Sequence, residues 1–131
     1  MNIKHRLWLG IAALSVFFVA AIAAVPAQIH TVTKVVTIAK PKRYSGPCPA
    51  TIEFIATIFV SHPARVEYRW ERSDGATGPT QTVDIHSAGQ GVKDTWRIGT
   101  PGRSFSGWVK LHVLAPTGIS SDPATFDIRC E

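Results

Sequence analysis

The chain has 131 residues, enough for one domain and a short extension. Hydrophobic residues make up 45% and charged residues 18%, which excludes an intrinsically disordered chain. Two cysteines exclude a multi-bridge miniature scaffold, and 10 Gly and 9 Pro without a period exclude collagen.

The first element is an export segment. Lys4 and Arg6 precede the run from Leu7 to Val25, 19 residues without a charged side chain. That run fits a long signal-peptide core ending near Val25-Pro26-Ala27 or Ala21-Ile22-Ala23. At 1.5 Å per residue it also reaches about 28 Å as an N-terminal hydrophobic helix, close to the thickness of a bilayer core. Residues 1–27 are therefore read as a signal peptide or an uncleaved anchor, the latter touching the membrane through residues 7–25. In both cases the rest of the chain lies outside the cytoplasmic membrane, secreted or anchored, because Lys4 and Arg6 hold the N-terminus inside.

Residues 28–43 are read as a basic linker. Lys34, Lys40, Lys42 and Arg43 occur there without an acid, whereas residues 44–131 hold 8 basic and 9 acidic side chains. The basicity thus belongs to the leader and linker, and no basic stripe or nucleic-acid motif follows. Within the linker, TVTKVVTI at 31–38 is β-branched enough to form a strand. Pro41, Gly46, Pro47 and Pro49 then interrupt it, so the domain is expected to start at Tyr44.

From there short alternating runs follow one another. Ile52, Phe54, Ala56, Ile58 and Val60 share one parity. Ile55 and Phe59 occupy the other, so this strand is expected to be buried in part on both faces. His62-Pro63 ends it. Next, Arg65, Glu67, Arg69 and Glu71 alternate with Val66, Tyr68 and Trp70, the pattern of a half-buried antiparallel strand. Ser73-Asp74-Gly75 is a turn in which Asp bonds its own backbone. Residues 80–86 form a weaker strand, and Gly89-Gln90-Gly91 reads as a hairpin turn. Residues 91–98 place Val92, Trp96 and Ile98 together. Thr100-Pro101-Gly102 turns the chain into 107–115, with Val109, Leu111, Val113 and Ala115 inward and Trp108, Lys110 and His112 outward. Pro116 to Pro123 is a turn region. Residues 124–131 put Ala124, Phe126, Ile128 and Cys130 inward. Six strands, or seven with 31–38, at this turn spacing predict an all-β antiparallel sandwich over residues 44–131. Its expected core includes Phe54, Tyr68, Trp70, Trp96, Leu111 and Phe126.

Cys48-Pro49, Tyr68-Arg69-Trp70, Ser73-Asp74-Gly75, Trp96, Gly107-Trp108 and Cys130 together resemble the bacterial secreted immunoglobulin-like and PKD-like sandwich modules. The resemblance implies that Trp70 fills the place of the core tryptophan on the third strand. It differs in its cysteines, which bracket the domain instead of joining two central strands. Such modules act as spacers, adhesion units or appendages and share no common activity.

Cys48 and Cys130 are expected to form a disulfide in an oxidising compartment. A metal pair or a reactive thiol is the alternative, without Cys-x-x-Cys spacing to support it. His30, His62, His86 and His112 show no ligand spacing. No G-x-S-x-G and no phosphate loop occurs, and Glu67 and Glu71 stand about 13 Å apart on one strand, too far for a usual glycosidase pair. No cofactor or metal site is expected. If 65–71 pairs with 107–115, Arg65, Glu67, Arg69 and Glu71 line up beside Trp108, Lys110 and His112, a candidate protein-binding face. The alternative for that face is a solvated array of ion pairs. The expected function is non-enzymatic: protein interaction or a structural role at the cell envelope. A carbohydrate-binding or inhibitor module is the second reading and a small secreted enzyme the third.

Overall fold

The computed structural model describes Phe18, residues 20–24 and residues 31–131. The expected export segment therefore lies mostly outside the described residues. Nine strands follow in chain order: β1 Val32–Lys40, β2 Arg43–Gly46, β3 Ala50–Val60, β4 Ala64–Arg72, β5 Gln81–Ile85, β6 Gly89–Ile98, β7 Ser104–Ala115, β8 Ile119–Ser120 and β9 Ala124–Cys130. Among the described residues there is no helix, and hence none long and apolar enough to cross a membrane.

Alternation of apolar and polar side chains gives each long strand one buried face, and two such faces close on each other. Sheet A has the order β1-β3-β6. Sheet B has the order β2-β9-β7-β4-β5, with β8 also on β7. All pairings are antiparallel except β2 with β9, which run parallel. Sheet A contributes Val35, Ile52, Phe54, Ala56, Ile58 and Val92 to the core. Sheet B answers with Val66, Tyr68, Trp70, Val109, Leu111, Val113, Phe126 and Ile128. Phe54 and Phe126 meet across the two layers edge to face, with ring centroids 5.5 Å apart. Each fully buried large apolar side chain contributes about 1.5–3 kcal/mol.

The structure alters several expectations. The described residues form nine strands rather than six or seven, because β2 and β8 are too short to show a period. The stretch expected to be a basic linker holds β1 and opens β2, so the packed strands begin at Val32 rather than at Tyr44. Val32 and Val35 are buried, and β1 pairs along its length with β3. Gly89-Gln90-Gly91 is not a turn. These residues are the first part of β6 and pair with Phe59, Ile58 and Thr57. The chain turns just before them, and the Ser87 hydroxyl donates to the Gly89 carbonyl. Phe59, expected to be partly covered, is 37% exposed, because nothing among the described residues packs on the outer face of sheet A. Trp96 is half-buried rather than fully enclosed, since β6 is an edge strand. Its ring packs on Phe105 at 5.9 Å and Phe126 at 5.7 Å and lies under the Arg72 guanidinium at 4.6 Å.

Phe54, Tyr68, Trp70, Leu111 and Phe126 are buried. The turn at Ser73-Asp74-Gly75 forms with Gly75 at φ +84°, and the Ala76 amide donates to the Asp74 carboxylate at 2.9 Å. Cys48 and Cys130 are joined by a disulfide with Cα atoms 5.3 Å apart. The bridge ties the segment entering sheet A to the last strand of sheet B.

Candidate functional site

The outer face of sheet B is assembled by the antiparallel pairing of β4 with β7. Glu71 stands opposite Lys110 and Arg69 opposite His112, with a register shift between Glu67 and Tyr68. Because cross-strand partners share a face, these four side chains form one block. Glu71 is its centre. One carboxylate oxygen accepts hydrogen bonds from Arg69 Nε at 3.3 Å and Nη2 at 3.2 Å, and the other lies 3.5 Å from Lys110 Nζ. Lys110 Nζ also sits 5.4 Å from the centroid of the Trp108 ring, a cation–π contact. His112 Nδ1 and the Ser120 hydroxyl share a hydrogen bond of 2.6 Å, supplied by the two-residue β8.

The other expected members of the face are farther away. Trp108 lies past Glu71, level with Ser73. The Ser73 amide donates to the Trp108 carbonyl at 3.0 Å, and the Trp108 amide donates to the Ser73 hydroxyl at 3.1 Å. Gly107 permits this approach. A Cβ there would stand 2.8 Å from the Phe105 ring and 2.9 Å from Ser73 Oγ. Arg65 lies at the opposite end of β4, beyond the reach of β7, and pairs with Asp84 on β5 through Nε at 2.8 Å and Nη2 at 3.2 Å. Glu67 stands opposite Ala115 and Thr82. Arg69, Glu71, Lys110 and His112 are thus brought together, with Trp108 at one margin, while Arg65 belongs to a separate ion pair.

Electrostatics on this face follow from the pairs. The Arg65 hydrogen bond holds the Asp84 carboxyl below its ordinary value, and Asp84 in turn raises Arg65. On the inner side, burial pushes the Tyr68 phenol up, with a smaller contribution from Asp94, while its hydroxyl donates to Gln81 Oε1 at 3.0 Å.

Beside β7, the β9 and β2 strands extend the same outer face. Trp108 faces Thr125, Ser106 faces Asp127 and Ser104 faces Arg129, while Arg43 and Ser45 of β2 stand beside Asp127 and Arg129. Arg43, Ser45, Ser104, Ser106, Asp127 and Arg129 line a depression of about 780 Å³, in which the Ser106 hydroxyl donates to Asp127 at 2.6 Å. Sequence reading placed Arg43 and Ser45 outside or at the border of the domain and so missed this extension. The alternation of Thr125, Asp127 and Arg129 signalled an outward row, but not which row it joined. Among the described residues, no group of three or more His, Cys, Asp and Glu is placed to hold a metal ion. His62 follows β3 beside Ser61 and Thr31, and His86 is exposed after β5.

No family model and no curated protein matches this chain. Among solved structures it is similar to the CARDB domain of the PF1109 protein from Pyrococcus furiosus, which was determined in complex with di-metal ions. The identity is 16%, the likeness covers 79% of this chain and 100% of that one, and the TM-score is 0.49.

Proposed function

We propose that this chain is a non-enzymatic, extracytoplasmic β-sandwich module that engages a protein partner at the cell envelope through the outer face of sheet B. The observation that carries the reading is the block of Arg69, Glu71, Lys110 and His112 with the half-buried Trp108 beside it. An aromatic ring flanked by pre-positioned cations on a flat sheet is a good protein-contact surface, because the side chains lose little freedom on binding. The Cys48–Cys130 disulfide supports an oxidising compartment. The uncharged run Leu7–Val25 after Lys4 and Arg6 supports export.

Photo-crosslinking in intact cells tests the site. A photoreactive residue at position 112 is expected to give a discrete protein adduct that is lost in Arg69→Glu/Lys110→Glu. The same residue at position 122, in the loop before β9, serves as the control. Equal labelling from both positions, or none from 112, refutes the face. A periplasm-active reporter fused after Glu131 tests the compartment, and N-terminal sequencing separates a cleaved signal from an anchor.

A carbohydrate-binding reading has one observation in its favour. The depression lined by Arg43, Ser104, Ser106, Asp127 and Arg129 offers hydroxyl, carboxylate and guanidinium groups on the same face as Trp108. Glycan-array binding that Arg129→Ala abolishes and Arg69→Glu leaves intact would replace the protein partner with a sugar.

A further inference from the structure

The outer face of sheet A differs in chemistry from that of sheet B. Cross-strand registers define it row by row: Lys34 with Phe59 and Gly89, Val36 with Thr57 and Gly91, Ile38 with Ile55 and Lys93, Lys40 with Glu53 and Thr95. Arg97 stands opposite Thr51 in the next row. Val36 is 38% exposed, Ile38 52% and Phe59 37%, and Ile55 between them is half-buried. Gly89 and Gly91 leave the neighbouring strand low at this level, with the Phe59 ring lying over Gly89. The result is an exposed apolar centre of β-branched and aromatic side chains, with Lys34, Lys40, Lys93 and Arg97 around it and Glu53 as the one carboxylate in these rows.

We infer that this face rests on an anionic phospholipid surface. Two independent observations point to lipid. The first is charge complementarity. Exposed cations around a shallow apolar patch fit anionic headgroups above acyl chains, with each cation and each apolar side chain adding to affinity. The second is where the rest of the chain lies. The uncharged run ends at Val25, so only residues 26–31 separate it from β1, a reach of at most about 21 Å. Lys34, Val36, Ile38 and Lys40 occur on the strand that follows directly, and the first two strands of sheet A thereby lie next to the membrane-directed part of the chain. A second copy of the chain would set the same cations against one another. Sheet B lacks this pattern: its outer face interleaves Arg65, Arg69 and Lys110 with Asp84, Glu67 and Glu71. With sheet A against lipid, sheet B faces away from the bilayer. The inference rests on the uncleaved-anchor form of the export reading but not on the protein-binding role of sheet B.

The test uses the full chain reconstituted in vesicles. With Cys48 and Cys130 bonded to each other, Val36→Cys supplies a single thiol for an environment-sensitive fluorophore, and Arg69→Cys provides the control label on sheet B. In vesicles with about one third phosphatidylglycerol, a lipid-borne quencher is expected to quench the label at 36 at least threefold more than the label at 69. In pure phosphatidylcholine, or in Lys34→Glu/Lys93→Glu with an unchanged melting temperature, the two labels are expected to quench alike. Raising salt to several hundred millimolar should reduce the difference, as screening requires. Equal quenching at 36 and 69 in the anionic vesicles overturns the inference. So does shielding of position 36 without vesicles that grows with protein concentration, which would identify a second copy. Shielding that needs an added envelope protein fraction also overturns it.

Discussion

Thr37 of β1 donates its hydroxyl hydrogen to Ser121 Oγ over 2.8 Å, linking the edge of sheet A to the margin of sheet B. Ser121 is 5% exposed, the one buried polar residue among those described, and its position explains its burial. Its Oγ also accepts the Leu111 amide at 3.0 Å, and its own amide donates to the Leu111 carbonyl at 2.9 Å. The side chain thus completes a backbone ladder that the short β8 leaves unfinished.

Ser121→Ala is expected to cost about 1–3 kcal/mol, because it leaves the buried Leu111 amide without its acceptor. Thr37→Val should cost less, since Ser121 keeps its bond to Leu111. Urea melts of the two variants check the order. A loss for Ser121→Ala no larger than that for Thr37→Val would show that the amide finds another partner.

Trp70 is buried between the sheets, and its indole Nε1 has no hydrogen-bond partner. Trp70→Ala should cost about 3–5 kcal/mol through the cavity it leaves. Trp70→Phe should cost less than half as much, because it keeps most of the apolar volume and removes an unsatisfied buried donor. Equal losses in denaturant would mean that shape, not the polar atom, decides this position.

The disulfide closes a loop of sequence separation 82. In the chain-entropy account, Cys48→Ala/Cys130→Ala should lose about 4.5 kcal/mol. Non-reduced, alkylated protein from the envelope fraction should yield one peptide linked through Cys48 and Cys130. Two alkylated cysteines in that sample would remove the bridge and the support it lends to the compartment.

Gly99 lies directly against that bridge at φ +109°. A Cβ there would stand 2.7 Å from Cys130 Sγ and 2.8 Å from Cys48 Sγ. Gly99→Ala should therefore destabilise the domain by about 1–3 kcal/mol. In the Cys48→Ala/Cys130→Ala background only the backbone part of that cost should remain, and a double-mutant cycle measures the difference. Strict additivity would place the whole effect in the backbone.

Asp84 titrates below an ordinary carboxylate because Arg65 hydrogen-bonds its charged form. A depressed native value means that its contribution to stability is present above the unfolded-state value of about 3.9 and is lost as pH falls through the native one. Arg65→Gln should raise the Asp84 midpoint toward about 3.9 when followed by NMR. The accompanying change in stability should be slight, since both side chains are solvated. An unmoved midpoint would detach Arg65 from Asp84.

The sequence by itself determined what depends on neighbours along the chain. Period-two alternation sorted Val66, Tyr68 and Trp70 from Arg65, Glu67, Arg69 and Glu71, because successive side chains of a strand must point to opposite faces. The turn at Ser73–Gly75 was legible because Asp and Gly carry its geometry in their own backbone preferences. The all-β class and the outward identities of Lys110 and His112 follow from the same local rule. Only the tertiary structure decided which strands are neighbours. Backbone hydrogen bonds carry no residue code, so the parallel pairing of β2 with β9 and the membership of β1 in sheet A had no local signature. Register is likewise a property of two strands at once. It moved Trp108 level with Ser73, left Arg65 beyond the end of β7 and drew Gly89–Gly91 into a strand. Exposure of Phe59 and Ile38 depends on what covers a face, and alternation sorts side chains between two faces without saying which of them another layer will meet.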